Sequence, residues 1–391
     1  MNCHERKLKK IWGICLPHYF KLMVILSLVF VVASCSDKNE NTSLPQESLT
    51  TQNNNSEQNR LSQVSPAEQN DNMEQKLDQF MTNMKFSGSV MLVKDNKIQI
   101  AKGYGIANNL SKESNGPDTI YQIGSLTKAF TAAAILQLKD SGKLNIDDPV
   151  QTYKKDYPND KVTLYQLLTH TSGIPDYTGF TDFITTMDIP VSVDGLVAEF
   201  MDKPLEFEPG SQFAYSNSGY VLLGAIIEKV SGESYGDYLK EHIFKPLGME
   251  RTGYLDKSNF SSDVAVGYRN IDDELVQADP IDVTVAYAAG GVYSTVEDLY
   301  KWIQGLETGK IISDASWEAM RTPILAKYAM GWGILDQKRT IYTHNGAING
   351  FSSMIWRDMS QGTAVIILGN LEGASFESMI EVLQDLLSSE E

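Results

Sequence analysis

The sequence predicts an α+β fold in which one antiparallel sheet is flanked by helices and interrupted by a helical insertion. Strand-like segments lie near both ends of the globular region, whereas the stretch from Thr127 to about Lys245 is mostly helical. Strands from the two chain ends that meet in one sheet, with helices between them in the sequence, are typical of this class. We therefore expect the functional site in the cleft between the sheet and the helical part.

The strands are predicted from alternating apolar residues bounded by turn residues. The segments Gly88–Lys94 and Lys97–Tyr104 alternate around Asp95-Asn96 and indicate a hairpin. Further strands are expected near Met330–Leu335, Thr340–His344, Phe351–Arg357 and Ala364–Gly369. A short helix, Val296–Gly305, would precede these strands, and an amphipathic helix, Phe376–Leu387, would follow them.

Residues 1–34 have the composition of an export leader. Basic residues dominate the first part, and LMVILSLVFVVAS follows without a charge. A spanning helix needs about 20 apolar residues, so this shorter run is typical of a signal peptide. The run leads into Cys35, in a sequence that resembles a bacterial lipoprotein signal whose cysteine is lipidated. The alternative is an uncleaved N-terminal anchor, and both interpretations predict a cell-membrane protein on the extracytoplasmic face.

Residues 35–72 are predicted to form a disordered tether. They are rich in Asn, Gln, Ser and Glu, with hardly any aromatic or β-branched residue. Such a segment buries too little apolar area to offset the entropy lost on ordering. The composition becomes globular at about Met73, and residues 73–391 are long enough for one large domain or two interleaved lobes.

Composition limits the partners and the chemistry. The formal net charge is −17, and removal of the basic leader leaves the remainder more acidic. This charge argues against nucleic acid or anionic lipid heads as partners. The three cysteines, Cys3, Cys15 and Cys35, all lie before the folded part, which therefore has no thiol for disulfides, catalysis or metal binding. No pair of histidines has metal-ligand spacing, so neither a metal nor another cofactor is expected.

Ser125 and Lys128 form the only Ser-x-x-Lys pair in the chain, at the start of its most apolar helix. The helix is expected from Leu126 to Leu138, with Gly142 as a terminator just beyond it. Residues three apart share one helix face, and burial lowers the pKa of a lysine. A neutral Lys128 would take the proton of Ser125 and make the serine a nucleophile.

A second proton-carrying group is predicted at Tyr215, in the segment Tyr215-Ser216-Asn217. Tyr-x-Asn also occurs at Tyr157 and Tyr268, but only the copy at Tyr215 leads into a long apolar helix, expected over residues 219–230. The N-terminal end of that helix would favour a tyrosinate. The alternative is structural, with Asn217 or Ser218 as the N-cap and a packed tyrosine.

The third element is His344-Asn345-Gly346, expected at the end of a strand. Glycine permits close approach of a ligand backbone, and the amide of Ala347 would supply half of an oxyanion hole. A histidine that only packs is the alternative. No Gly-x-Ser-x-Gly sequence is present, which argues against an α/β-hydrolase.

The segment around His170 offers another arrangement of catalytic residue types. His170 and Ser172 are only two residues apart on an expected turn. We predict that they stabilise this turn rather than form a catalytic pair.

Ser-x-x-Lys, Tyr-x-Asn and His-x-Gly, in this order, resemble the signature of the serine β-lactamase and penicillin-binding protein superfamily. The Tyr-x-Asn and His-x-Gly variants look most like the class C β-lactamase-related branch. The resemblance covers about residues 73–391 and includes segments such as FEPGSQFAYSNSGYVLLGAIIEKVSG and AAGGVYSTVEDLYKW. It implies a β-lactamase/transpeptidase-like fold with the active site in the cleft.

The resemblance also implies acyl transfer. Ser125 would attack a carbonyl while Lys128 and Tyr215 handle its proton, and the amides of Ser125 and Ala347 would hold the oxyanion. Asn217 would orient the substrate amide and the lysine.

His344 would stand where many relatives carry a lysine for the substrate carboxylate. Because histidine is mostly neutral near pH 7, we expect a weaker hold on that carboxylate.

The sequence thus predicts a penicillin-binding-protein-like serine hydrolase that acts on cell-wall peptide, as a D-Ala-D-Ala carboxypeptidase or endopeptidase. β-Lactams would be covalent ligands. An esterase or D-amino peptidase that acts on small esters or amides is the alternative within the fold. A β-lactam-binding sensor without turnover is the alternative from another class.

Overall fold

Strands from both ends of the described chain make up the main sheet. The computed structural model describes residues 66–254, 264–272, 274–374 and 376–388. In chain order the strands are β1 (Gly88–Lys94), β2 (Lys97–Tyr104), β3 (Ile106–Asn108), β4 (Glu113–Ser114), β5 (Tyr121–Gln122), β6 (Gly253–Tyr254), β7 (Tyr268–Ile271), β8 (Glu274–Gln277), β9 (Val292–Ser294), β10 (Gly333–Ile334), β11 (Ile341–Ile348), β12 (Phe351–Asp358) and β13 (Thr363–Gly369).

Most helices lie between β5 and β10 in the sequence. They are α1 (Pro66–Asn83), α2 (Thr127–Asp140), α3 (Leu164–Leu168), α4 (Phe183–Thr186), α5 (Val193–Ala198), α6 (Asn217–Ser231), α7 (Tyr235–Leu239), α8 (Lys245–Leu247), α9 (Val283–Gly290), α10 (Val296–Glu307), α11 (Asp314–Met320) and α12 (Phe376–Ser388). A π-helical turn, Lys240–Phe244, joins α7 to α8, and short 3₁₀ helices occur at Gly124–Leu126, Val150–Thr152 and Tyr177–Gly179.

The main sheet has the strand order β10-β11-β12-β13-β1-β2, and every pair is antiparallel. The N-terminal strand β1 pairs with the last strand β13, in the register Gly88↔Gly369. The predicted α+β fold, with chain ends that meet in one sheet, is confirmed. The predicted hairpin of β1 and β2 is also confirmed, and Asp95 and Asn96 both have positive φ, as a tight hairpin turn requires.

Helices cover both faces of the sheet. Alternate residues of β1 enter two different cores: Val90 and Leu92 pack in the core that α1 and α12 cover, while Met91 and Val93 enter the larger core. The larger core contains the buried faces of α2, α6, α9 and α10. The sheet therefore separates the helical insertion from the terminal helices.

Several boundaries differ from those predicted. Helix α1 begins at Pro66, so the prediction of a disordered tether is wrong for residues 66–72, and the structured region begins before residue 73. Leu126 belongs to a 3₁₀ turn, and α2 begins one residue later. The predicted strand over 330–335 is reduced to β10, because the chain at Gly331 passes against α2 with φ +81°.

The leader, residues 36–65 of the tether and Cys35 lie outside the described residues. Among the helices of the described part, none is both long and apolar enough to cross a membrane.

Candidate active site

Ser125 lies in the 3₁₀ turn Gly124–Leu126 that leads into α2. Gly124 has φ +50°, and a Cβ on this residue would lie 2.7 Å from the carbonyl oxygen of Ala347. Glycine is therefore required for the turn to close on strand β11. The Ser125 side chain is partly exposed, as a nucleophile that meets a substrate must be.

Strand β11 packs its backbone against this turn. A Cβ on Gly346 would collide with the carbonyl oxygen of Ile123, and Ser353 Oγ donates a 2.7 Å hydrogen bond to the same oxygen. Leu335 N–H donates to Ile341 O on the side of β11 that faces away from β12. Because alternate residues of a strand direct their backbone groups to one side, the amide of Ala347 also points to this edge. The turn and the strand edge thus place a backbone donor beside Ser125.

Lys128 is fully buried one helical turn from Ser125. Its Nζ lies 3.0 Å from Ser125 Oγ, 2.8 Å from Asn217 Oδ1 and 2.8 Å from the carbonyl oxygen of Ala289. The amide oxygen of Asn217 and the carbonyl of Ala289 can only accept hydrogen bonds. A neutral amine would use its two N–H groups on these oxygens and direct its lone pair at the Ser125 hydroxyl.

Burial lowers the pKa of Lys128 to about 7, and Asp176 opposes this shift. A substantial fraction of Lys128 is therefore neutral near pH 7.

The carbonyl of Ala289 reaches Lys128 because helix α9 is kinked. Tyr287 has φ +38° and ψ −133° inside the helix, which turns the following peptides toward α2. Ala288 O then accepts a 2.7 Å hydrogen bond from Thr131 Oγ1, one turn after Lys128. The last turn of α9 thus supplies α2 with two carbonyl acceptors that have no partner within their own helix.

Asn217 is oriented by Asp176. The Nδ2 group donates to Asp176 Oδ2 at 3.0 Å and to Thr178 Oγ1 at 3.3 Å, which leaves Oδ1 for Lys128. The N-cap of α6 is Ser216, so the alternative prediction of Asn217 or Ser218 as the cap is wrong. The carboxylate of Asp176 fixes which end of the amide meets the lysine.

The ring of Tyr215 lies against Lys128, with Nζ 4.8 Å from the ring centroid. Burial raises the pKa of Tyr215, and side-chain hydrogen bonding with Ser125 only partly opposes the shift. Burial therefore works against the tyrosinate that was expected at the start of helix α6. The other Tyr-x-Asn copies lie elsewhere: the Tyr268 hydroxyl accepts from the amide of Asn109, and the Tyr157 carbonyl accepts from Gln151.

His170 holds the segment that carries Tyr215. Its carbonyl accepts from Ala214 N at 2.9 Å, its Nδ1 accepts from Ser216 N at 3.1 Å, and its ring lies 4.2 Å from the Tyr215 ring. The expected turn exists, and Ser172 Oγ accepts from Ile174 N within it. His170, however, also contacts a second segment, because it accepts hydrogen bonds from the residues on both sides of Tyr215.

His344 lies in the middle of β11, since the strand continues to Ile348. The expected position at a strand end is therefore wrong. The residue is 7% exposed; Nδ1 lies 2.7 Å from the carbonyl oxygen of Asn345, and Nε2 lies 3.1 Å from the hydroxyl of Tyr328. Burial and the nearby Lys128 lower the pKa of His344 to about 3, so the imidazole is neutral near pH 7.

A sequence model of the family described as Beta-lactamase matches residues 73–387. The chain belongs to the beta-lactamase family. The predicted resemblance is confirmed, as is the wider prediction of a penicillin-binding-protein-like serine hydrolase.

The curated relatives point to the same branch. The chain is 36% identical over 300 residues to "Putative penicillin-binding protein PbpX" of Bacillus subtilis, an alignment that covers 76% of this chain and 74% of PbpX. It is 33% identical to "Penicillin-binding protein 4*" of Bacillus subtilis, over 74% of this chain and 69% of that protein. "Protein flp" of Staphylococcus aureus is 32% identical, but only 61% of its length is aligned.

Solved structures share the fold. A penicillin binding protein from Bacillus halodurans has a TM-score of 0.71 and 27% identity, over 78% of this chain and 98% of that chain. A D-stereospecific amidohydrolase from Streptomyces has a TM-score of 0.65 and 26% identity, over 76% of this chain and 93% of that chain.

The structure brings together all the residues of the three family motifs that the sequence singled out. It adds Asp176, His170 and Tyr328, which sequence reasoning did not assign to the site. Asp176 is 41 residues from Asn217, and Tyr328 is 16 residues from His344, so no local spacing connects them. These partners become visible only when the fold is known.

Proposed function

We propose that this protein forms an acyl-enzyme at Ser125 and hydrolyses D-amino-acid-containing cell-wall peptides, as a carboxypeptidase or endopeptidase. The observation that carries the proposal is the position of Ser125 Oγ, 3.0 Å from a buried Lys128 whose pKa is lowered to about 7. A lysine of this kind accepts a proton at neutral pH, which an ordinary lysine does not.

In the acylation step, Ser125 Oγ forms a bond with the substrate carbonyl carbon while its proton moves to Lys128 Nζ. The carbonyl electron pair collects on oxygen, where the amides of Ser125 and Ala347 stabilise it. When the C–N bond breaks, the leaving amine takes the proton through Tyr215, whose raised pKa keeps its phenol protonated and able to donate.

Deacylation reverses these roles. A water molecule attacks the ester carbon, its proton passes to the lysine, and Ser125 recovers its own hydrogen as the acid product leaves. Asn217 holds Lys128 in place throughout through its Oδ1. The Nδ2 group of Asn217 already donates to Asp176 and Thr178, so a substrate amide oxygen would compete with them for this donor.

The alternative of a D-amino peptidase, amidase or esterase is supported by the fold shared with the Streptomyces D-stereospecific amidohydrolase. These activities use the same acyl-enzyme and differ in the leaving group. A β-lactam-binding sensor, the remaining alternative, would form the same acyl-enzyme but hydrolyse it slowly.

We further propose that Cys35 carries a lipid, or that the leader stays as an anchor, and that the domain works at the extracytoplasmic face of a cell membrane. The support is the apolar run before Cys35. β-Lactams would acylate Ser125 as covalent ligands, and peptidoglycan peptide would be the natural partner.

The test is a panel of substrates offered to the detergent-solubilised full-length protein. A fluorescent penicillin, an acyl-D-Ala-D-Ala peptide and a short-chain ester are compared, with Ser125→Ala as the inactive variant. Ser141→Ala, at the other end of α2, is the matched control. Turnover of the peptide supports the proposal, turnover of the ester alone supports the esterase, and labelling without turnover supports the sensor.

A further inference from the structure

His344 lies on strand β11, which lines the site. The edge of β11 that faces away from β12 pairs with β10 at Thr343 and packs against the Ser125 turn at Gly124. The strand IYTHNGAI contains no lysine or arginine. The ability of β11 to stabilise a negatively charged substrate group through a side chain therefore depends on whether His344 can carry a positive charge.

Both ring nitrogens of His344 are engaged. The carbonyl oxygen of Asn345 can only accept, so the nitrogen 2.7 Å from it, Nδ1, carries the hydrogen. In the neutral ring Nε2 is then an acceptor, and the Tyr328 hydroxyl 3.1 Å away donates to it. The tautomer follows from these two partners, and no ring nitrogen is left for a substrate carboxylate.

Tyr328 is held firmly in this position. Its side chain is buried, and its ring packs at 4.9 Å from the ring of His170, 5.7 Å from that of Phe213 and 6.2 Å from that of Tyr215. Rotation of the phenol away from His344 would disturb all of these contacts. The hydroxyl oxygen is therefore held within hydrogen-bond distance of His344 Nε2.

The charged and titratable groups that face His344 do not favour its protonation. They are Lys128 from α2, His170 from the turn after α3, and Tyr328 itself. None of them is a carboxylate, and the lysine repels a second positive charge. Geometry and charge agree that the imidazole stays neutral across the physiological range.

We propose that the Tyr328–His344 pair makes the leaving-group side of the cleft electrically neutral, so that the enzyme prefers bonds whose leaving group has no free carboxylate. Internal peptide bonds, amides and esters meet this requirement, and a terminal D-Ala does not. The inference rests on the proposed acyl-enzyme function and selects the endopeptidase-like or amidase-like form of it. Tyr328 is a specificity-determining residue that acts through His344.

The physical reason is desolvation. A carboxylate that enters the cleft loses water, and it is compensated only if it gains a charge-assisted hydrogen bond. Neutral amide or ester groups lose less hydration free energy when they enter the cleft, and the backbone edge of β11 can provide their hydrogen bonds. The bonds made and broken during acylation are the same for both kinds of substrate.

The test compares N-acyl-D-Ala-D-Ala with its C-terminal carboxamide on the full-length protein. The kcat/KM ratio of the two substrates is measured from about pH 5 to 8 for the wild type, His344→Lys and Tyr328→Phe. The wild type should favour the carboxamide, with a ratio that does not change with pH. His344→Lys should move the ratio toward the carboxylate by about tenfold, the gain of a charged over a neutral hydrogen bond. Tyr328→Phe removes the hydrogen-bond partner of Nε2, which can then take up a proton. The substrate ratio should therefore move toward the carboxylate at the acidic end of the pH range.

His242→Lys, the same substitution at an exposed histidine, is the control and should leave the ratio unchanged. A wild type that prefers the carboxylate, or whose carboxylate preference falls as pH rises, would overturn the inference. A ratio that is unchanged in Tyr328→Phe at every pH would overturn the role of Tyr328, even if His344→Lys does not fold. If neither substrate acylates Ser125, the proposed function itself fails, which distinguishes the two claims.

Discussion

The Nζ atom of Lys128 lies 3.0 Å from Ser125 Oγ, and its two remaining neighbours, Asn217 Oδ1 and Ala289 O, are oxygens that accept hydrogen bonds. This pattern suits a neutral amine that holds its lone pair toward the serine. This arrangement explains how a lysine buried among the helices can make a serine at the cleft reactive.

The first prediction concerns the stability of the protein as a function of pH. The pKa of Lys128 is lowered to about 7 in the folded state, so the unfolded chain binds more protons between about pH 7 and the ordinary lysine pKa of about 10.4. The wild type should therefore gain stability as pH rises through this window, relative to Lys128→Met. Thermal melts of both proteins at several pH values measure the difference, and a difference that does not change with pH would contradict the buried-lysine account.

The second prediction concerns Tyr215. If Tyr215 passes the proton to the leaving group as proposed, replacement by phenylalanine removes the phenol that does so, and kcat/KM should fall by about 10²- to 10⁴-fold. Tyr157→Phe and Tyr268→Phe are matched controls, because both tyrosines belong to the same Tyr-x-Asn pattern but contact other parts of the chain. If one of the controls is inactive and Tyr215→Phe is not, the wrong tyrosine has been chosen.

The third prediction treats His170 as a positioning residue for Tyr215. Asparagine tolerates the φ of +56° at this position but lacks the ring that packs on the tyrosine. His170→Asn should lower kcat by about 10- to 100-fold, with a smaller change in KM. In the Tyr215→Phe background, His170→Asn should lower kcat little further, because both changes disable the same proton step.

Ser172→Ala, in the same turn, is the control for His170. Equal losses from His170→Asn in the wild-type and Tyr215→Phe backgrounds would show that His170 only maintains the fold.

The fourth prediction concerns Asp176. Its charge raises the pKa of Lys128 against the effect of burial, so Asp176→Asn should lower that pKa. The rising limb of kcat/KM against pH should then move to lower pH. The pH profiles of the two proteins check this, and a shift to higher pH would rule out the electrostatic role.

Local patterns in the sequence predicted the hairpin of β1 and β2, the apolar helix after Ser125 and the three family motifs, because each depends on residues close in the chain. The helix end alone favoured a tyrosinate at Tyr215, but burial, which depends on the tertiary fold, raises the pKa of this residue. The neutrality of His344 near pH 7 was expected, but its cause lies in burial and in the nearby Lys128, both of which depend on the tertiary fold.

The central claim is that Ser125 is the acylated residue and that a neutral Lys128 activates it. The most direct measurement is the rate at which a β-lactam or fluorophosphonate adduct forms, followed by mass spectrometry of the Ser125 peptide from about pH 5 to 9. We predict an adduct on this peptide whose formation rate rises with pH and levels off above about 7, where Lys128 has lost its proton. An adduct that persists unchanged in Ser125→Ala, or a rate that does not depend on pH across this range, would contradict the account.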